Sequence, residues 1–218
     1  FILCVGSREP EGFTGCSRYC CQAAIKQALA LKKRGHNVTI LHRGIRVYSK
    51  GAEEMYREAR GSGILFLQYD EEHLPAVLGG TRATRVEIDQ ESLGLRISVP
   101  ADLVVLSVGM KPPKRAQELA KILGIKLNKY NFCETETFSP VETSRPGIYV
   151  CGAFAAPKDI PESVAQASGA AAKAGSITAS ERGKLTIPKE YPPERDISGE
   201  EPRIGVFVCH CGINIGGV

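Results

Sequence analysis

Short apolar runs alternate with helix-period segments along most of this chain. FILCVG (1–6) is an apolar run closed by glycine, the pattern of a strand buried on both faces of a parallel sheet. From about Cys16 to Arg34 the period changes. Ala24, Ile25, Ala28 and Leu29 form one apolar stripe, three basic residues fill the last turn, and Gly35 supplies the stop. NVTILH (37–42) is a second strand, so the opening forms a β-α-β unit of the kind that builds doubly wound sheets.

The alternation continues downstream. GAEEMYREAR (51–60) predicts a short helix closed by Gly61, and ILFLQY (64–69) predicts a strand. RVEID and LRISV alternate across a polar, glycine-containing stretch and predict a hairpin. LVVLSVG (103–109) predicts a buried strand broken off by Pro112 and Pro113, and residues 114–123 suit a helix stopped by Gly124. GIYVCGAF (147–154) reads as a strand ending in a small-residue turn. An alanine-rich helix then runs from Ile160 to about Arg182, with Pro161 and Glu162 in its first turn.

Residues 184–203 carry four prolines among charged residues and read as a linker. After it, IGVFVCHCGINIGGV (204–218) reads as the start of a further module. With a strand already under way at Phe1, the chain is expected to be a piece of a longer protein.

The 218 residues include 28 basic and 24 acidic side chains, and this mild, scattered excess does not describe a nucleic-acid surface. No apolar run approaches the roughly 20 residues of a membrane-spanning helix. Cysteine is the outlier: four of eight lie within residues 4–21, spaced C-x11-C-x3-C-C as Cys4, Cys16, Cys20 and Cys21. The predicted strand and helix meet at the carboxyl edge of the sheet, where all four sulfurs can converge. Cys16 and Cys20 are expected one turn apart on the helix.

Four thiolates suit a [4Fe–4S] cluster. A zinc knot is the alternative metal site, although adjacent cysteines fit it poorly, and buried redox or structural thiols are a third reading. Whichever holds, no G-x-G-x-x-G remains. Gly6, Gly12 and Gly15 are scattered among cysteines and the bulky Phe13, so a pyrophosphate has no tight backbone nest.

His42 and Arg43 end the second strand. They could meet a 2′-phosphate in a pyridine-nucleotide-dependent flavin reductase, or simply begin a solvated loop. RPGIYVCGAFAAPKDIPESVAQASGAAAKA (145–174) ends a strand in Gly152-Ala153 and starts a helix whose free N–H groups could meet a ligand oxygen. It could equally be a tight βα turn. Cys209-His210-Cys211-Gly212 is a weak signal by itself, and Cys133 and Cys151 are expected to be packed thiols.

Together, CVGSR, CSRYCCQAAIK, GIRVYSKGAEEMYREAR, ADLVVLSVGMKP, the 147–174 stretch and VFVCHCG resemble the A subunit of the CoB–CoM heterodisulfide reductase family. That resemblance implies an α/β, thioredoxin-reductase-like fold. Residues 1–110 would be a pyridine-nucleotide-like domain carrying a [4Fe–4S] cluster, and 111–183 the carboxyl half of an FAD-binding domain.

It implies Cys4, Cys16, Cys20 and Cys21 as cluster ligands, and Lys26 near the flavin N5, where a cation could stabilise reduced flavin. An exposed helix lysine is the plain alternative for Lys26. Gly152, Ala153, Lys158, Asp159, Ile160 and Gln166 match the flavin-facing turn and helix. Implied partners are the other subunits of a cytoplasmic hetero-oligomer, with ferredoxin, hydrogenase or dehydrogenase donors. In the methanogen complexes the flavin bifurcates electrons.

Three departures accompany the match. The FAD domain's first half and glycine-rich loop are missing, as are ferredoxin-type C-x2-C-x2-C-x3-C-P runs. The module at 204–218 follows rather than precedes the flavin half-domain, as in a tandem arrangement. The chain is expected to transfer electrons between FAD and iron–sulfur centres, although alone it should hold FAD weakly. A zinc-stabilised interaction module without redox activity is the remaining alternative.

Overall fold

A computed structural model describes residues 1–80, 83–90 and 94–208, and divides them into a unit of Phe1–Ser180 and a second from Glu181 onward. In the first unit, strands β1 (Ile2–Val5), β2 (Thr39–His42) and β3 (Leu65–Gln68) form a parallel sheet. Three later strands, β4 (Ala76–Gly79), β5 (Ala83–Gln90) and β6 (Leu95–Pro100), form an antiparallel meander. Strand β7 (Leu106–Val108) then returns to the parallel sheet, giving it the order β3-β2-β1-β7. Successive residues of a strand face opposite sides, and the core divides accordingly. Leu3 and Ile40 face helices α1 (Cys20–Lys33) and α2 (Ala52–Gly61), meeting Ile25, Ala28 and Ala59. Ile2 and Leu41 face the other way, onto Tyr69, Val86 and Ile88. The alanines let the helices lie close to the sheet.

Helix α3 (Ala116–Leu123) stops at Gly124 and helps bury a smaller core of Ala120, Ile125, Cys133, Val150 and Ala155. Helix α4 (Ile160–Ile177) follows. Asp159 caps it through a reciprocal box, accepting from the Glu162 N–H at 2.9 Å while the Glu162 carboxylate accepts from its own N–H.

Several expectations change. Helix α1 begins at Cys20, not Cys16, because Arg18 takes a left-handed φ of 65° that breaks any earlier turn. β7 is an edge strand of three residues, with Leu106 and Val108 both 53% exposed, instead of a buried strand over 103–109. Residues 147–154 form no strand: Tyr149 makes one bridge to Glu142, and Gly152–Phe154 is a 3-10 turn. β4 was not foreseen, and α4 ends at Ile177.

In the second unit, residues 184–203 carry no helix or strand, and Ile204 to Val208 are exposed without the expected strand. Cys209-His210-Cys211-Gly212 lies outside the described residues. No helix among the described residues is long and apolar enough to cross a membrane.

Candidate iron–sulfur centre

The cysteine site begins with an irregularity in β1. Ile2 pairs with Leu106 but Val5 with Val108, so β1 holds one more residue than β7 between these points. Cys4 occupies that bulge at a φ of 62°, a conformation that costs an L-residue about 1–2 kcal/mol and re-aims its side chain. The loop beyond folds back on itself through Arg8 N–H to Gly15 O (3.0 Å) and Glu9 N–H to Phe13 O (3.1 Å). Phe13 anchors it from outside, edge-on to Tyr130 at 4.9 Å and tilted against Phe132. This fold-back returns Cys16 to the start of α1.

Cys4, Cys20 and Cys21 are buried at 3% exposure each, while Cys16 stands at the rim of a cavity lined by Arg18, Arg46 and Tyr48. The neighbouring Cys21 and Cys4 thiols hold the Cys20 thiol well below the ordinary thiol range. Cys4 and Cys21 are pushed up, first by hydrogen bonding to Cys20 and then by burial. Among the described residues, no three or more Cys, His, Asp or Glu side chains are arranged around a single metal ion.

Polar groups around the sulfurs test whether this site suits a multi-iron group. The backbone N–H of Arg43 works against the rise at Cys4, and that of Arg46 against the rise at Cys21. Cys16 receives the Arg18 N–H at 3.2 Å. The Ser17 hydroxyl and the Cys4 N–H add smaller lowering effects at Cys20. Ser17 is 1% exposed, and its Oγ has no hydrogen bond of ordinary geometry. Thiol ligands grouped in a buried site are the donor type that an iron–sulfur cluster uses, and Cys4, Cys20 and Cys21, with Cys16 at the rim, are residues of that type.

The helical turn expected between Cys16 and Cys20 is absent; the fold-back of the loop does that work. Ser17, Arg18 and Arg46 were missed as part of the site. Ser17 and Arg18 stand inside CSRYCC and could have been noticed, whereas Arg46 reaches the site only through the tertiary fold.

His42 and Arg43 are neither solvated nor free. Arg43 is 6% exposed and donates to Ser7 O (3.3 Å), Glu9 (3.5 Å) and Glu71 (3.1 Å). His42 accepts the Gly44 N–H at Nδ1, and burial lowers its pKa, favouring the neutral ring. The basic pair that a 2′-phosphate would need is committed to the protein itself.

The second group of candidate residues lies at the start of α4. Gly152 has a left-handed φ of 69°, and its N–H donates to Gln166 Oε1 at 3.1 Å, fixing the turn against the helix. Ala153 and Ile160 are exposed. Lys158 is 8% exposed, and its pKa is lowered by burial, with Glu162 opposing the shift. It makes no hydrogen bond or ion pair among the described residues. Cys133 is packed as expected, but Cys151 is exposed.

This turn and the cysteine loop are tied together. Arg18 pairs with Glu162 and stacks on Tyr48, and Ser49 donates to Asp159 at 2.8 Å. Lys26 is exposed on α1.

Over 180 residues, 78% of this chain and 27% of the relative, the sequence is 39% identical to the iron-sulfur A subunit of the CoB–CoM heterodisulfide reductase of Methanocaldococcus jannaschii. The A subunit of the H(2)/formate:CoB-CoM heterodisulfide,ferredoxin reductase of Methanococcus maripaludis matches with the same identity and coverage. An Archaeoglobus profundus protein that is like the heterodisulfide reductase A subunit is 36% identical over 195 residues, 85% of this chain and 27% of that one. The chain spans about a quarter of the length of these relatives.

Thioredoxin reductase of T. acidophilum superposes with a TM-score of 0.52 at 17% identity, over 83% of this chain and 51% of that one. Lactococcus lactis thioredoxin reductase (FR conformation) gives 0.51 at 23% identity, over 75% and 51%. The thioredoxin-reductase-like α/β fold and the resemblance to heterodisulfide reductase subunits are therefore borne out. Residues 23–171, more than half of the chain, match the pyridine nucleotide-disulphide oxidoreductase family, and the chain belongs to that family.

Proposed function

We propose that this chain is the electron-transfer part of an iron–sulfur flavoprotein, with Cys4, Cys16, Cys20 and Cys21 holding a [4Fe–4S] cluster beside FAD. One observation carries the reading. At the sheet edge where a dinucleotide-binding fold would cradle phosphate, Cys4, Cys20 and Cys21 are buried together instead, and Cys16 at the rim accepts the Arg18 N–H at 3.2 Å. When bound, the flavin supplies two-electron chemistry and the cluster one-electron chemistry.

The chain's own residues position both groups. Gly152 and Gln166 hold the turn, Ala153 leaves room for a flat ligand, and Asp159 and Ile160 open α4 with the positive end of its dipole outward. Lys158 contributes a buried cation with no ion pair among the described residues, suited to an anionic region of the ligand. Lys26, exposed on α1, is the candidate to face the flavin N5. The Arg18–Glu162 pair joins the two sites, setting their separation.

The protein would work within a cytoplasmic heterodisulfide-reductase-like complex, alongside other subunits. Relatives named for ferredoxin, H(2) or formate as partners support that class of donor. The rival reading, reduction by NADPH, lacks a free basic hand because Arg43 is engaged by Glu9 and Glu71. Anaerobic titration of the flavin-loaded protein separates the two readings. Reduced ferredoxin should bleach the flavin and cluster bands while NADPH leaves them unchanged, and rapid bleaching by NADPH alone would overturn the proposal.

A further inference from the structure

Where β7 ends, the chain turns through Gly109 into Met110-Lys111-Pro112-Pro113-Lys114 before α3 begins. The Gly109 N–H donates to Val5 O at 2.8 Å, which sets this turn beside the end of β1, at the same sheet edge as the cysteines. A cavity of about 420 Å³ opens here, bounded by Gly12 and Phe13 of the cysteine loop, the 110–114 segment, and Tyr130. Phe13, Met110, the two prolines and Tyr130 make its lining mainly apolar.

The charges around it have one sign. Lys111 and Lys114 line the cavity and are exposed. Lys129, also exposed, holds its Nζ 4.9 Å from the centre of the Tyr130 ring. Among the described residues no carboxylate lines the cavity, and none of the three lysines makes an ion pair. Glu11 adjoins Gly12 in the chain but is not part of the lining, and Glu118 on α3 is taken by Arg115 at 2.6 Å. An apolar centre inside a charged rim is the anatomy of a protein interface, and this rim fits an acidic partner.

Resting on the electron-transfer reading above, we infer that this cavity and its three lysines are the docking surface for an acidic one-electron carrier protein. The lysines come from two segments and stay exposed, which suits a broad partner better than an enclosed small anion. Carboxylates of the carrier meet Lys111, Lys114 and Lys129, while an apolar side chain enters beside Phe13 and Met110. Phe13 lies three residues before Cys16, a length of chain that spans at most about 11 Å, so the docked carrier stands close to the sulfurs. In each encounter the carrier is oxidised by one electron and the cysteine-held centre is reduced by one; no bond forms or breaks. Exposed cations of this kind act mainly on encounter, and their effect fades as salt rises.

The test follows binding of an oxidised, acid-rich 2[4Fe–4S] ferredoxin to the anaerobically purified protein by bio-layer interferometry, at low and high salt. The combined Lys111→Glu, Lys114→Glu and Lys129→Glu variant should associate about tenfold or more slowly at low salt, with a flatter salt dependence. Stopped-flow reduction by the reduced ferredoxin should slow by a similar factor. Lysine-to-arginine changes at the same three positions keep the charge and should bind like wild type. Lys32→Glu, Lys33→Glu and Arg34→Glu together make the same charge change at the far end of α1, and should keep most of the rate.

Equal association by wild type and the Lys111, Lys114 and Lys129 reversal would overturn the assignment, as would an equal loss in the α1 control or no ferredoxin binding at all. Displacement of the ferredoxin by millimolar citrate at constant ionic strength would make the cavity a small-anion site and also overturn it. Lysine-dependent ferredoxin binding by protein that holds no iron would instead refute the electron-transfer reading beneath it, so the two failures are distinguishable.

Discussion

The two halves of the Phe1–Ser180 unit hold their elements by different means. Around β1 the sheet is covered on both faces: Leu3, Ile25 and Ile40 are fully enclosed on one side, and Ile88 is nearly so on the other. Around α4 no helical residue is buried, and Ile160, Val164 and Ile177 are 80%, 61% and 59% exposed. The first half carries a strained cysteine in a bulged strand because its core over-determines the backbone. The second holds its helix by capping and by polar ties to the cysteine loop. A redox centre needs the first kind of surroundings, and a docked ligand or neighbouring domain needs the second.

Truncation in the two halves should separate them most strongly. Ile25→Ala, at 0% exposure between α1 and the sheet, is expected to lose about 2–5 kcal/mol in urea unfolding. Val164→Ala on α4 is expected to stay within about 0.5 kcal/mol. Comparable losses would erase the contrast.

Next in size is Gly109→Ala. The added methyl would approach the Gly6 carbonyl oxygen at 2.8 Å as well as Ser7, so a loss of about 1–3 kcal/mol is expected. The same denaturation curve reads it. Asp159→Ala removes the α4 cap and the Ser49 bond, and about 1 kcal/mol should go, concentrated in α4 by amide exchange. An even spread of exchange over α1 would show the halves to be one cooperative block.

The smallest effect is a pH dependence. His42 is buried, and its pKa is lowered from the ordinary value near 6.5. Below 6.5 the unfolded chain binds a proton that the folded chain resists. Stability should therefore fall as pH drops from 6.5 toward the depressed folded value, and be fully present above 6.5. Unfolding at pH 7.5 and 5.5, repeated in His42→Gln, should show the slope in wild type and its weakening in the variant.

Legibility followed the same division. The β-α-β opening, the β5–β6 hairpin, the Gly124 stop and the α4 start could be read from the sequence, because local period and stop residues set them. The cysteine cluster was visible by count. Its assembly was not, since the Arg18 backbone and the β1 bulge arise from closing the loop and not from residue preference. Arg43 looked like an open phosphate contact because its partners, Glu9 and Glu71, lie 34 and 28 residues away. The 147–154 segment has strand-like alternation, but among the described residues a single bridge, from Glu142 to Tyr149, meets it. Apolar pattern alone cannot supply a partner strand.

The central claim is that residues 4–21 hold iron and sulfide where a nucleotide fold would hold phosphate. Metal and acid-labile sulfide analysis of the anaerobically purified protein tests it most directly. About four irons and four sulfides per chain, both lost in Cys16→Ser, is the predicted result. Stoichiometric zinc without sulfide, or iron content unaffected by Cys16→Ser, would contradict it.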